Sequence, residues 1–300
     1  MDQISKADKK INVSKVIIHL FFIILSAAFI LPIFLVISIS LSDESDILQF
    51  GYRLIPVQIS TAAYDYIFRN PEQILNSYKI TVFYSITGTL AGVFIMMMCA
   101  YTLTRKKFAY RGFISMYIFF TLLFNGGLVP SYILTTRYLH LQNTVWVLFV
   151  SGLVNVWFLF VLRALIQVIP ESIVESAYID GASEFRIFIS LILPLSKPAI
   201  ATVGLFVLLG YWNEWMTALL YIDKPKLFPL QYLLQKILQN LEAILRNMNK
   251  MPVSISEEFK VPSETVRMAM AIVAAGPMLV IMPFFQKYFV RGMTVGSVKG

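Results

Sequence analysis

Charged side chains are scarce in this chain: Asp, Glu, Lys and Arg together make up 14% of it. Soluble domains carry about 25%, so most of this sequence cannot form a water-facing globular surface. Cysteine occurs once, at Cys99 inside a long apolar run, which excludes an intramolecular disulfide framework and a cysteine metal cluster. His19 and His140 are the two histidines; they are not an i, i+4 pair of the kind that binds zinc on a helix, and both read as interfacial residues near span ends. No Gly-x-x-x-x-Gly-Lys-Ser/Thr segment is present, so the chain cannot cradle ATP in a P-loop. No nucleophile–base pair is visible in sequence either. These absences disfavour an enzyme, a bound metal and a cofactor held by this chain.

What is abundant is apolar surface, at 58% of residues. Charge-free stretches of 18 or more residues mark spanning helices, and five are plain: Val16–Ser42, Ile80–Thr104, Gly112–Thr136, Tyr138–Leu162 and Met268–Gln286. A sixth, Pro198–Ile222, is interrupted only by Glu214. Each can cross a core of about 30 Å at about 1.5 Å per residue. The first run is far longer than the roughly 7–15 residues of a signal h-region and reads as a retained helix. The expected fold is all-α, a polytopic membrane protein with six transmembrane helices.

Topology follows from the cations. With the N-terminus inside, the cytoplasmic segments hold 14 of the 25 Lys and Arg but six of the 17 acidic residues. The cluster Arg105, Lys106, Lys107, Arg111 decides the orientation, because short loops weigh most in the positive-inside rule. Both termini are therefore expected in the cytoplasm. This topology accounts for the net charge of +8 without a nucleic-acid partner.

The chain divides into a basic arm (1–15) and one transmembrane domain (16–300) with a core at 79–290, a polar segment at 170–197, an external loop at 223–267 and a tail at 287–300. In the third span Asn125-Gly126-Gly127 and Pro130 interrupt the helix. Such breaks survive at membrane depth only where protein or a watery cavity satisfies the freed backbone groups; either the break lies by a translocation path, or the helix ends near Leu123 and re-enters. Within the external loop, Leu227, Leu230, Leu234, Ile237, Leu241, Ile244 and Met248 fall on one helical face. They predict an interfacial helix, or one that docks against a partner.

Between Pro170 and Pro198 lies a charged, helix-forming island that must face water. Pro170 ends the preceding helix. Ser172-x-x-Glu175 is expected to form a capping box, and Gly181 to stop the short helix in a left-handed conformation. Ser183–Leu193 is expected to form a second helix. Ile173, Ala177 and Gly181 share one face, where small side chains admit close approach. The island suits a grip for a soluble partner; a connector resting on the inner leaflet is the plainer reading.

Glu175, Ala177, Gly181, Leu193 and Pro194 stand in register with the EAA signature, and the segment resembles that of ATP-binding-cassette importer permeases. Ser176 and Leu191 depart mildly from it. Asn125-Gly-Gly-Leu-Val-Pro130, Leu193-Pro-Leu-Ser-Lys-Pro198, Tyr211-Trp-Asn-Glu-Trp215 and the tail Gly296-Ser-Val-Lys-Gly300 extend the resemblance to the carbohydrate-uptake branch. That is the LplC/YtcP group of MalG-like type I (MetI-like) permeases, over roughly residues 10–300. The resemblance implies that Glu175, Ser176, Ala177, Asp180, Gly181 and Ala182 couple to an ATPase, and that Val298, Lys299 and Gly300 reach the ATPase interface. It also implies a second homologous permease, an ATPase dimer carrying ATP and Mg, an extracellular sugar-binding lipoprotein, and residence in a bacterial cell membrane.

Sugars offer apolar C–H faces and rings of hydroxyls, so flat rings beside polar groups are candidates for the substrate path: Trp212, Asn213 and Glu214, with Asn155 and Trp157 as weaker ones. Glu214 is the one carboxylate in an expected span, and a mid-helix charge costs about 2.5–3.5 kcal/mol on insertion scales. The function this supports is an ATP-driven carbohydrate importer subunit. The alternative is a self-sufficient secondary transporter, for which one intramembrane carboxylate is thin provision.

Overall fold

The computed structural model describes residues 13–248 and 263–296, with side chains over 14–247 and 263–284. The tail residues Val298, Lys299 and Gly300 and most of the basic arm lie outside the described residues. Among those described, every regular element is helical, apart from one isolated bridge between Ser42 and Ile59.

The helices are α1 (Val13–Ser40), α2 (Glu44–Phe50), α3 (Ala62–Ile67), α4 (Pro71–Thr104), α5 (Arg111–Leu123), α6 (Leu128–Ile133), α7 (Val145–Ser151) and α8 (Val156–Ile166). They continue with α9 (Glu171–Ile179), α10 (Glu184–Ile187), α11 (Leu193–Leu195), α12 (Lys197–Trp212), α13 (Met216–Tyr221), α14 (Leu230–Met248) and α15 (Glu264–Gly296). Two π-helical turns, Leu134–Tyr138 and Phe188–Ile192, extend α6 and join α10 to α11.

Three helices are individually long and apolar enough to cross a membrane, within α1, α4 and α15. Three bent pairs raise the number to six if each is one span: Arg111–Leu123 with Leu128–Tyr138 (110°), Val145–Ser151 with Val156–Ile166 (48°), and Glu184–Leu195 with Lys197–Trp212 (80°). The all-α, six-span expectation therefore holds at the level of elements, with corrections in continuity. The expected span Tyr138–Leu162 is two helices separated at 152–155, and Pro198–Ile222 is α12 and α13 separated at 213–215. Apolar runs mark where a chain can be buried; they do not show where its backbone hydrogen bonds are interrupted.

Within the stretch read as one permease domain, the contacts gather into two compact units. One comprises the described residues up to Arg69 with those of Leu241–Val273; the other comprises Asn70–Asn240 and the described residues from Ala274 onward.

In the first unit, α1 leaves its most apolar window wholly unburied, as expected of a helix solvated by lipid or by another subunit. Asp43 caps α2 by accepting from Ser45 N at 2.9 Å. Glu44 then ties α2 to the start of α15. Its carboxylate accepts from Ser263 Oγ (3.0 Å), Glu264 N (2.9 Å), Thr265 N (3.0 Å) and Thr265 Oγ1 (2.8 Å). These include amide donors that the first turn of a helix leaves without intrahelical partners. Burial pushes the Glu44 carboxyl up, but the donors from Glu264, Thr265 and Ser263 outweigh it and hold it below the usual glutamate value.

In the second unit α4 is the axis, packed on α12, α8 and α7. Its buried face carries a run of small residues, Ser77, Thr81, Ser85, Gly88 and Gly92, among larger ones such as Tyr84, Met96 and Met97, and small residues let membrane helices approach closely. The ring of Tyr211 fills the space this leaves. A Cβ on Gly88 would stand 2.6 Å from Tyr211 Cζ, and one on Gly152 would stand 2.8 Å from Tyr211 Cε1. Tyr211 Oη donates to Phe149 O (2.8 Å), and Tyr84 Oη donates to Tyr211 O (2.8 Å). The first turns of α14 are also packed in this unit: Leu230 N donates to Thr81 Oγ1 at 2.8 Å, and Leu230, Tyr232, Leu233 and Leu234 are buried. The expected amphipathic helix is present, and its leading half packs on protein instead of lying free.

Candidate functional site

The island between Pro170 and Pro198 folds as α9, a tight turn, and the helical run α10–α11. The expected capping box does not form. Pro170 itself is the N-cap, so the helix starts at Glu171 and places Ser172 inside the first turn, where no side-chain cap is made. Proline needs no amide partner and its ring presets φ, so it opens this helix unaided. The C-terminal end matches the expectation. Gly181 has φ +77°, Gly181 N donates to Tyr178 O (3.0 Å) and Ala182 N donates to Ala177 O (2.9 Å). That is the paired closure of a Schellman motif. A Cβ on Gly181 would meet nothing within 4 Å, so glycine is required here by the backbone and not by crowding.

Val174 anchors α9 with 2% of its surface exposed, whereas Ile179 is 87% exposed. Glu175, Ser176, Asp180 and Gly181 are exposed beside Ile179, and Ala177 and Ala182 are half-buried. Among the described residues nothing covers this isoleucine, an apolar side chain on an otherwise polar turn.

Beneath that surface α9 is fastened to the basic turn that follows α4. Lys106 Nζ forms an ion pair with Glu171. That hydrogen bond, against the opposing effect of desolvation, holds the Glu171 carboxyl below its usual range, with Arg105 and Arg111 adding to the pull. Tyr101 Oη donates to Glu184 Oε2 at 2.6 Å, and Tyr178 Oη donates to Glu184 Oε1. The Arg105 guanidinium lies 5.3 Å from the Tyr101 ring and 5.9 Å from the Tyr178 ring, and Lys107 Nζ lies 4.7 Å from the latter. Sequence reasoning missed this network. The available signal was complementary charge: a cluster of cations after α4, and Glu171 and Glu184 in the first turns of α9 and α10.

The path candidates separate. Asn155 and Glu214, distant in sequence, line one pocket of about 240 Å³, together with Ser151, Thr217, Phe158 and Phe206. It lies between the two helix breaks at 152–155 and 213–215. Asn155 Oδ1 caps α8 by accepting from Phe158 N (3.2 Å), and Glu214 Oε1 accepts from Thr217 N (2.9 Å) at the start of α13. Phe158 and Phe206 lie nearly parallel, with ring centroids 6.0 Å apart. Trp212 is placed elsewhere: it is 2% exposed and donates Nε1–H to Ala274 O at 2.9 Å, so its ring is a packing element and not a platform open to a ligand. Asn213 is exposed, bonded to Leu209 O (2.9 Å) and Gln231 Nε2 (3.3 Å). Trp157 is 62% exposed and does not line this pocket. No group of three or more His, Cys, Asp or Glu that could hold a metal occurs among the described residues.

Residues 88–295 match the family described as binding-protein-dependent transport system inner membrane component. The chain is 35% identical to the polygalacturonan/rhamnogalacturonan transport system permease protein YtcP of Bacillus subtilis, covering 95% of this chain and 97% of that one. It is 34% identical to protein LplC of the same organism, over 90% of each. Its fold is similar to a chain in the crystal structure of a bacterial ABC transporter involved in the import of the acidic polysaccharide alginate. There the TM-score is 0.76 at 24% identity, covering 96% of this chain and 100% of the other.

Proposed function

Because the chain belongs to the family of binding-protein-dependent transport system inner membrane components, we propose that it is one of the two membrane subunits of an ATP-driven importer of oligosaccharides. The names of its relatives support the sugar class. The observation that carries the coupling role is α9: a short helix opened by Pro170 and closed by Gly181, with Ile179, Asp180 and Gly181 exposed, Val174 buried and Glu171 paired with Lys106 of the turn after α4. Glu175, Ser176, Ala177, Asp180, Gly181 and Ala182 form the surface seated on the ATPase. Because α9 leads back into α8 and on through α10–α11 into α12, a rigid push on it moves both.

ATP and Mg belong to the ATPase dimer in this reading, and Val298, Lys299 and Gly300 reach toward its interface. A second homologous permease completes the path, an extracellular sugar-binding lipoprotein delivers substrate, and both termini of this chain lie in the cytoplasm. The pocket holding Asn155, Glu214, Phe158 and Phe206 contributes a wall of the path, where ring faces meet sugar C–H groups and the amide and carboxylate meet hydroxyls. A secondary transporter is not favoured.

The test is reconstitution in proteoliposomes of this chain alone and with the subunits that co-purify with it, followed by uptake of labelled pectin- and glucan-derived oligosaccharides. Uptake is expected only with the ATPase and ATP. Ion-gradient-driven uptake by the isolated chain would sink the proposal.

A further inference from the structure

Glu184 stands at the meeting point of three elements: the end of α4, the end of α9 and the start of α10. Each of its carboxylate oxygens accepts a tyrosine hydroxyl, from Tyr101 on α4 and from Tyr178 on α9. The Arg105 cation lies across both rings and Lys107 lies over that of Tyr178. A carboxylate with two fixed donors holds geometry more strictly than a neutral acceptor, because charge-assisted hydrogen bonds are shorter and stronger. The ion pair of Lys106 with Glu171 grips the other end of the same helix. Thus α9 is held at both ends to the turn after α4, although more than sixty residues of chain separate them.

We infer that Glu184, Tyr101 and Tyr178 form a positioning clamp that makes α4 a third lever of the coupling helix, beside α8 and α12. A connection through the chain alone would drive only the flanking helices. With the clamp closed, displacement of α9 is passed directly to the axis of the second unit, where Gly88 packs against Tyr211 in the last turn of α12 and Gly92 against Leu153 in the break before α8. The inference rests on the importer reading and adds to it residues outside the docking surface.

The experiment measures sugar taken up per ATP hydrolysed by the complete importer in proteoliposomes, for Tyr101→Phe, Glu184→Gln and the double variant. Tyr101→Phe deletes one hydroxyl and keeps the ring that packs on Phe188, so folding and ATPase capture should persist. In each variant the uptake-to-hydrolysis ratio is expected to fall by about tenfold, the scale of one lost hydrogen bond to a charged group. The double variant is expected to be no worse than the worse single one, as for residues acting through one contact. A wild-type ratio in Tyr101→Phe, or fully additive losses in the double variant, would overturn the clamp. A wild-type chain that captures no ATPase would instead sink the importer reading and the clamp with it.

Discussion

Tyr211 is held between two glycines, and its hydroxyl and carbonyl are both engaged, so the ring has little freedom to yield. Gly88→Ala would place a methyl group 2.6 Å from Tyr211 Cζ. We expect a loss of about 1–3 kcal/mol, the usual penalty of overpacking, seen as a lower melting temperature of the purified protein in detergent. An unchanged melt would mean that the α4–α12 contact can open without cost. A different residue, Glu44, gives a pH signature. Its folded-state pKa is depressed below 4.5, so the stabilisation it provides is present above that value and is lost as pH falls through the folded-state pKa. Glu44→Gln should melt lower than wild type at pH 7, and the gap should close on acidification below pH 4.5. A gap independent of pH would show that the charge of Glu44 plays no part. Glu44 did not stand out in sequence, and Tyr211 did so only as a member of the 211–215 motif; both acquire their roles from partners far along the chain.

At the scale of the element, α9 was the most legible part of the protein, because its signals are local. A proline opens it, a glycine with positive φ closes it, and its polar residues stand between apolar runs. The capping box failed for an equally local reason, since Pro170 took the position assigned to Ser172. Gly181 separates backbone strain from surface occlusion. A non-glycine residue at φ +77° costs about 1–2 kcal/mol. Gly181→Ala and Gly181→Ile should both insert normally in the membrane, and both should loosen the end of α9. Only the isoleucine also places bulk on the outward face, so it should abolish ATPase capture and uptake while alanine retains part of both. Wild-type uptake by Gly181→Ile would reduce α9 to a connector.

At the scale of the whole molecule, orientation can be read by labelling. In a Cys99→Ala background, cysteines at Lys107 and Ser183 should resist an impermeant thiol reagent in intact protoplasts, whereas cysteines at Ser60 and Gln239 should react. Labelling of position 183 from outside would overturn both the orientation and the coupling role of 170–197. The pairing of helices within the second unit was not legible at this scale. The small residues on α4 become meaningful only when Tyr211, more than 120 residues after Gly88, is set against them.

Composition and order of residues alone determined that this chain is helical, that six apolar stretches can reach across a bilayer, where the polar helical segment between Pro170 and Pro198 lies, and which end of each stretch carries the cations. All of these depend on interactions within a few helical turns or on transfer between water and lipid, which neighbouring residues settle among themselves. Tertiary structure decided the rest. It interrupted two expected spans at 152–155 and 213–215, brought Asn155 and Glu214 to one pocket, withdrew Trp212 into the core, and joined Glu184 to Tyr101. These outcomes depend on which backbone groups lose their helical partners and which distant side chains supply replacements, and a membrane interior enforces that satisfaction without specifying the partner in the local sequence.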